Sequence, residues 1–461
     1  MNDMRYTTSQ PVLKLLYVAL PLLLLIGWTD KPKDNALQIP ITYYKLNNGL
    51  KVVLSQDKTS PIIAVGVYYN IGFRIEPKNR TGFAHLFEHM MFQGSKNLGK
   101  MEFIKLVQKN GGVLNGSTRF DFTNYFEVMP AHMLKPTLWA EADRMSGLAI
   151  TDANLINQQG VVKNEVKVNV LNQPYGGFPW LDMPQYANEN WYNAHNFYGD
   201  LADLDSAKLE DVHQFFKTYY APDNAVLVIV GDFDIAEAKK IIDQYFNVIP
   251  SSPLPNKPDL SEPRQEKEKR FTKEDKLANK PAIAVAYKMP DKNTPEFYAM
   301  GLIDQLMVQG HDSKLYQAMV QEKGYTDVVN GGINYLGNMF DYNGPMVWMS
   351  DMTYDSTTSA DSIIHQYDKA INELMNNITA EDVKLASIKL RSSLYDQIGS
   401  FYGFGKLNLL ASFALFEDNP AKINDLENEF NKVTPELVKK TAKEYLRSTN
   451  RTILIIDPKA H

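Results

Sequence analysis

His85, Glu88 and His89 stand in the run Thr81-Gly82-Phe83-Ala84-His85-Leu86-Phe87-Glu88-His89-Met90-Met91-Phe92 and spell H-x-x-E-H. The run reads as helix. At about 100° per residue, positions i, i+3 and i+4 share a face, so both imidazoles and the carboxylate point the same way. Two neutral imidazoles suit Zn²⁺, and a carboxylate one turn away suits a general base acting on water. That is hydrolytic chemistry, provided a third protein ligand comes from elsewhere in the chain.

The surrounding elements must hold that face in place. Two strand-like runs, 50–54 and 61–69, precede the motif, and an amphipathic helix over about 100–109 follows it. Asn110-Gly111-Gly112 makes a turn, and 113–118 and 124–129 read as antiparallel strands. A helix over 209–220 and a strand over 225–230 close this half. From Pro250 to about Lys280, four prolines by Pro258 and the charged run 262–276 mark an interdomain linker. The second half repeats the first: 281–287 echoes the strand at Pro61, and 436–446 followed by 451–456 echoes the closing helix and strand. The expected fold is α+β, with two homologous domains, each a mostly antiparallel sheet with helices on one face. The expected division is 1–30 signal peptide or anchor, 31–250 zinc-binding domain, 251–280 linker and 281–461 second domain without a metal site.

The repeat supplies an internal control. Sliding 81–94 onto 297–310 places His85 on Gly301, Glu88 on Asp304 and His89 on Gln305. The second copy keeps the helix and drops the ligands, which favours a functional reading of the histidines over a packing one.

The 461 residues are 44% hydrophobic, 22% charged and 11% aromatic, with a formal net charge of -6 and no cysteine. A nucleic-acid partner has no electrostatic support in that balance. Disulfides, thiolate metal sites and a thiol nucleophile are excluded. Arg5 and Lys14 precede an apolar run over 15–28, which the polar residues 29–34 end abruptly. This reads as a secretory signal peptide, with an uncleaved membrane anchor as the alternative. The expected location is beyond the inner membrane, periplasmic or membrane-anchored.

Composition does not single out the third ligand. Resemblance does. The motif segment, Asn115-Gly116-Ser117-Thr118, residues 161–169, Tyr219-Tyr220-Ala221-Pro222-Asp223-Asn224, Val230-Gly231-Asp232-Phe233-Asp234 and Asp312-Ser313-Lys314-Leu315-Tyr316 together resemble the M16 (insulinase/pitrilysin) zinc peptidases. The match covers nearly everything after the N-terminal segment. The length resembles the family's short-chain class, which includes the mitochondrial processing peptidase β-subunit and bacterial homologues.

The resemblance implies one Zn²⁺ per chain on His85, His89 and Glu165, with Glu88 as general base. Glu165 would lie on a helix starting near Thr151 and Asp152. The resemblance also implies an extended peptide or small unfolded protein as substrate, paired to an edge strand at Asn115, Gly116 and Ser117. Two places depart from the family pattern. Gln158 stands where a glutamate usually supports the metal site, with Gln159 beside it. In the second half, the places of an arginine–tyrosine pair that holds substrate read as Gln321 and approximately Asp327, with Tyr325 out of register. A hetero-oligomeric M16 partner carrying that pair is therefore expected. The alternative function is a non-catalytic zinc-binding scaffold subunit of such a heterodimer.

Other features carry less. His132, His195, His213, His311, His365 and His461 lack paired spacing and read as surface or hydrogen-bonded residues. Gly399, Gly403 and Gly405 lack the Lys-Ser/Thr ending and leading strand of a phosphate loop, and read as a mobile or helix-breaking loop. The cluster Trp180, Trp191, Tyr192, Phe197 and Tyr198 suits a peptide cavity or core packing equally well.

Overall fold

The computed structural model describes residues 38–458, so the segment 1–30 read as signal peptide or anchor lies outside the described residues. Among those described, no helix is long and apolar enough to cross a membrane. Residues from Ile39 onward form one compact unit.

Alternating apolar runs produce two sheets. The first contains β1 (Thr42–Lys45), β2 (Lys51–Gln56), β3 (Ile62–Tyr69), β4 (Val113–Thr118), β5 (Thr123–Pro130) and β6 (Ala225–Gly231), in the order β1-β2-β6-β3-β5-β4. The second contains β7 (Lys269–Asp275), β8 (Ala282–Lys288), β9 (Asn330–Ile333), β10 (Val347–Thr353) and β11 (Arg451–Pro458), in the order β7-β11-β8-β10-β9. All neighbours are antiparallel except β2 with β6 and β7 with β11, which occupy the same place in their sheets. The duplication is thus one of topology, strand for strand, with β1 as an addition.

One strand had no signal in the sequence. β7 falls inside 251–280, in the charged run of the expected interdomain linker. It lies at the sheet edge, where charged side chains face water and discourage further pairing, so its sequence carries no apolar alternation.

Period-two alternation buries both faces of the first sheet. Val52, Leu54, Val65, Val67 and Ile229 pack with Phe83, Leu86 and Phe87 of the first half's helices. Val53, Ala64, Val226 and Val228 face the other way, into a cluster with Leu407 and Leu410 from the helix Phe404–Glu417. The second sheet is treated in kind: Ala284, Ala286, Val347 and Leu454 receive Met183 and Ala187 of the helix Asp182–Ala187. Each half therefore keeps its own helices on one face and covers the other with a helix lent by its counterpart. The alanines of β8 leave room for that close approach.

Two helices carry the site, α1 (Phe83–Met90) and α4 (Asp152–Val166), with α2 (Glu102–Lys109) and α3 (Leu134–Ser146) between them in the chain.

Candidate metal centre

α1 lacks a Ser, Thr or Asp cap. Its N-cap is Gly82, in the left-handed region at φ 82 with no side-chain cap. Glu76 serves instead, from six residues upstream. Its buried carboxylate accepts the N–H groups of Gly82 (2.9 Å) and Ala84 (2.6 Å), satisfying two of the helix's orphan donors. Burial pushes this carboxyl above its ordinary range. α1 turns Phe83, Leu86 and Phe87 into the core, leaving His85, Glu88 and His89 toward α4 and β4. α4 begins at Thr151, whose hydroxyl accepts from the Asn154 N–H. Immediately after Glu165 it widens into a π-helical turn, Lys167–Leu171, of the kind that often marks functional sites.

α1 and α4 bring together three side chains that could hold a metal ion. The Nε2 atoms of His85 and His89 lie 3.3 Å apart. Glu165 places Oε1 3.5 Å from His85 Nε2 and Oε2 3.3 Å from His89 Nε2. A tetrahedral zinc with ligand distances of 2.0–2.1 Å separates its donor atoms by about 3.3 Å, which the two Nε2 atoms match, and the Glu165 carboxylate offers each of them an oxygen at 3.3 to 3.5 Å. Among the described residues this is the one cluster of three His, Cys, Asp or Glu side chains with such convergence. Hydrogen bonds from the His85 and His89 side chains hold the Glu165 carboxyl well below the usual carboxylate range. The Glu165 side chain is 31% exposed, which leaves the cluster open on one side.

Glu88 stands beside the trio with one oxygen engaged: Thr118 Oγ1 donates to its Oε2 at 2.7 Å. β4 can lie this close because position 116 is glycine. A Cβ there would sit 3.2 Å from Glu88 Cγ and 3.2 Å from the Tyr125 ring. β4 is also the terminal strand of its sheet, so its outer edge is unpaired by any strand. Asn115 is exposed there and its Oδ1 accepts the Gly116 N–H at 2.9 Å, while Ser117 turns inward to Asn124. Gln158 is buried on α4 and makes no hydrogen bond to His85, Glu165 or His89. His85 Nδ1 is buried without a partner.

Sequence reasoning missed three contributors: Glu76, Thr118 and Tyr198. Tyr198 donates to Glu165 Oε1 at 3.3 Å, and burial together with that carboxylate pushes its phenol up to about 12. The aromatic cluster divides between its two readings. Phe197 packs with Phe73, Phe120 and Leu181, whereas Tyr198 reaches the ligands. His195 is hydrogen-bonded, its ring nitrogens lying 3.0 Å from the carbonyls of Trp191 and Phe73. The turn after the helix Ala380–Gly399 breaks it with Phe401, Tyr402 and Gly403 all at positive φ.

The second copy of the helix, Pro295–Met307, lies between β8 and β9 as α1 lies between β3 and β4. Gly301, Asp304 and Gln305 line a cavity of about 360 Å³ with no histidine in its wall. Asp304 accepts from Trp348 Nε1 (2.8 Å) and Gln309 Nε2 (3.1 Å), and burial pushes its carboxyl up to about 6. A carboxyl raised in the folded state stabilises fully below its unfolded pKa, and that contribution is lost as pH rises through the folded value. Asp304→Asn is therefore expected to gain stability over the parent between pH 4 and 7, on the order of 2 kcal/mol. Urea unfolding at the two pH values reads this; an unchanged difference would show that Asp304 titrates as an ordinary carboxylate.

Comparison with known proteins adds the lineage. Residues 51–189 match the family described as "Insulinase (Peptidase family M16)", and residues 206–390 match "Peptidase M16 inactive domain". The chain belongs to the M16 peptidase family. Its M16 relatives include the zinc protease PqqE of Helicobacter pylori, 24% identical over 90% of this chain and 92% of that protein. The β-subunit of the mitochondrial-processing peptidase of Bos taurus is 21% identical over 93% of this chain and 87% of that one. Among solved M16-like structures, a protease from Helicobacter pylori superposes with TM-score 0.82 at 23% identity, covering 91% of this chain and all 100% of the other. The periplasmic protease PqqL from Escherichia coli superposes with TM-score 0.72 at 16% identity, where 92% of this chain matches 48% of that chain.

Proposed function

We propose that this chain is a zinc-dependent endopeptidase acting on extended peptides added to the outer edge of β4. The observation that carries the reading is the convergence of the His85 and His89 Nε2 atoms, 3.3 Å apart, on the Glu165 carboxylate, whose Oε1 lies 3.5 Å from the first and Oε2 3.3 Å from the second, beside the Glu88 carboxylate on the histidines' own helix. Bound there, zinc would supply Lewis-acid polarisation of a peptide carbonyl and would acidify water. Glu88 takes a proton from the attacking water and returns it to the leaving amine nitrogen. Thr118 ties down one Glu88 oxygen and leaves the other to handle that proton. The substrate enters as an added strand, whose backbone replaces Asn115 Oδ1 on the Gly116 N–H. Backbone pairing of this kind tolerates varied side chains.

The proposal keeps the zinc-binding domain at 31–250 and the second domain at 281–461. It also keeps a partner M16 subunit, because Gln321 and Asp327 are exposed side chains without the arginine–tyrosine chemistry that would stabilise an oxyanion. Periplasmic location is part of the reading, and the similar PqqL of Escherichia coli is a periplasmic protease. The scaffold alternative draws on two observations: Gln158 brings no charge to the site, and His85 Nδ1 is left without a partner.

Cleavage of a quenched peptide library by the zinc-loaded chain, alone and with its partner, separates the two. Turnover well above a Glu88→Gln control supports the peptidase; turnover equal to that control in both settings leaves the scaffold.

A further inference from the structure

We propose that Tyr198 is the positioning residue that fixes the third ligand Glu165, a role Gln158 does not fill. This rests on the zinc-site reading above.

Tyr198 touches two of the three ligand side chains. Its hydroxyl lies 3.3 Å from Glu165 Oε1, and its ring meets the His85 ring edge-on, with centroids 5.3 Å apart at 80°. Trp180 backs the phenol, its ring centroid 5.5 Å away. The phenol adds a bond to Oε1 beyond the two histidine contacts, and so orients the carboxylate within the cluster.

The loop bearing Tyr198 is mounted on α1 itself. Gly199 and Gly82 are in backbone contact, and a Cβ on Gly199 would lie 2.5 Å from Gly82 Cα. Asp200 N–H donates to Thr81 Oγ1 (2.9 Å), and that hydroxyl donates to Asp203 (2.6 Å). Both glycines adopt positive φ, 82 and 87, so neither position accepts a side chain without strain. The phenol is therefore placed relative to His85 by the same contact that starts the ligand helix. α4, which carries Glu165, is registered to α1 through it.

The test is zinc affinity, measured by competition with a chelator on the full chain, with urea unfolding of the zinc-free protein as control. Tyr198→Phe keeps the ring against His85 and Trp180, so the zinc-free unfolding midpoint should not move. Its zinc dissociation constant should rise by roughly 10- to 100-fold. Equal zinc affinity in Tyr198→Phe and the parent overturns this role and leaves the zinc site standing. A parent chain that binds no zinc overturns the zinc site itself.

Discussion

Glu88→Gln is expected to retain one zinc per chain and to lose peptidase activity by about 10²–10⁴-fold, the usual contribution of a positioned general base. The substitution keeps the shape of the side chain and its acceptor for Thr118, so the local packing has no reason to change. Only the capacity to take and return a proton is removed. The fall should appear in kcat, with KM near the parent value, because an extended substrate is held by the β4 edge and not by Glu88. Measuring both constants and the bound zinc on one preparation checks each part. A variant with near-parental kcat would move the proton to another group and sink the assignment of Glu88.

His85→Ala/His89→Ala is expected to abolish stoichiometric zinc binding. With free zinc at 1,000 times the parent dissociation constant, binding stabilises the parent by about 4 kcal/mol. In the double variant that increment should vanish, so its unfolding midpoint should be the same with zinc and with chelator. The histidines stand on the side of α1 turned from the core of Phe83, Leu86 and Phe87, so the fold itself should survive. Zinc retained at one per chain in the double variant would place the metal elsewhere.

How much of this was legible in the chain follows the range of each interaction. The face shared by His85, Glu88 and His89 depends on helical period alone, which five residues reveal. The strands β2, β3, β6, β8 and β11 came from short apolar runs bounded by turns, and their repetition exposed the duplicated topology. Glu165 is different. Its place depends on α4 crossing α1, a contact between elements far apart in sequence, and a family resemblance was needed to select it. Tyr198, Thr118 and Glu76 had no local signature, because a tyrosine in an aromatic cluster, a threonine in a strand and a glutamate in a loop are ordinary residues there. β7 was missed for a physical reason: an edge strand stabilised by backbone pairing needs no apolar alternation. The exchanged helices were likewise invisible, since the alanines of β8 mark a close approach without saying which segment makes it.

That exchange has a consequence for how the molecule comes into being. Ile39 exchanges hydrogen bonds with Asn424, Lys45 pairs with Asp418, and the first sheet waits for the helix Phe404–Glu417 to cover it. Contacts of such sequence separation close late and slowly. A ribosome must therefore release nearly the whole chain before the first half can shut. Two polypeptides cut within 251–268 would each present an uncovered apolar sheet face and would be expected to reassociate when mixed, as a complementing pair.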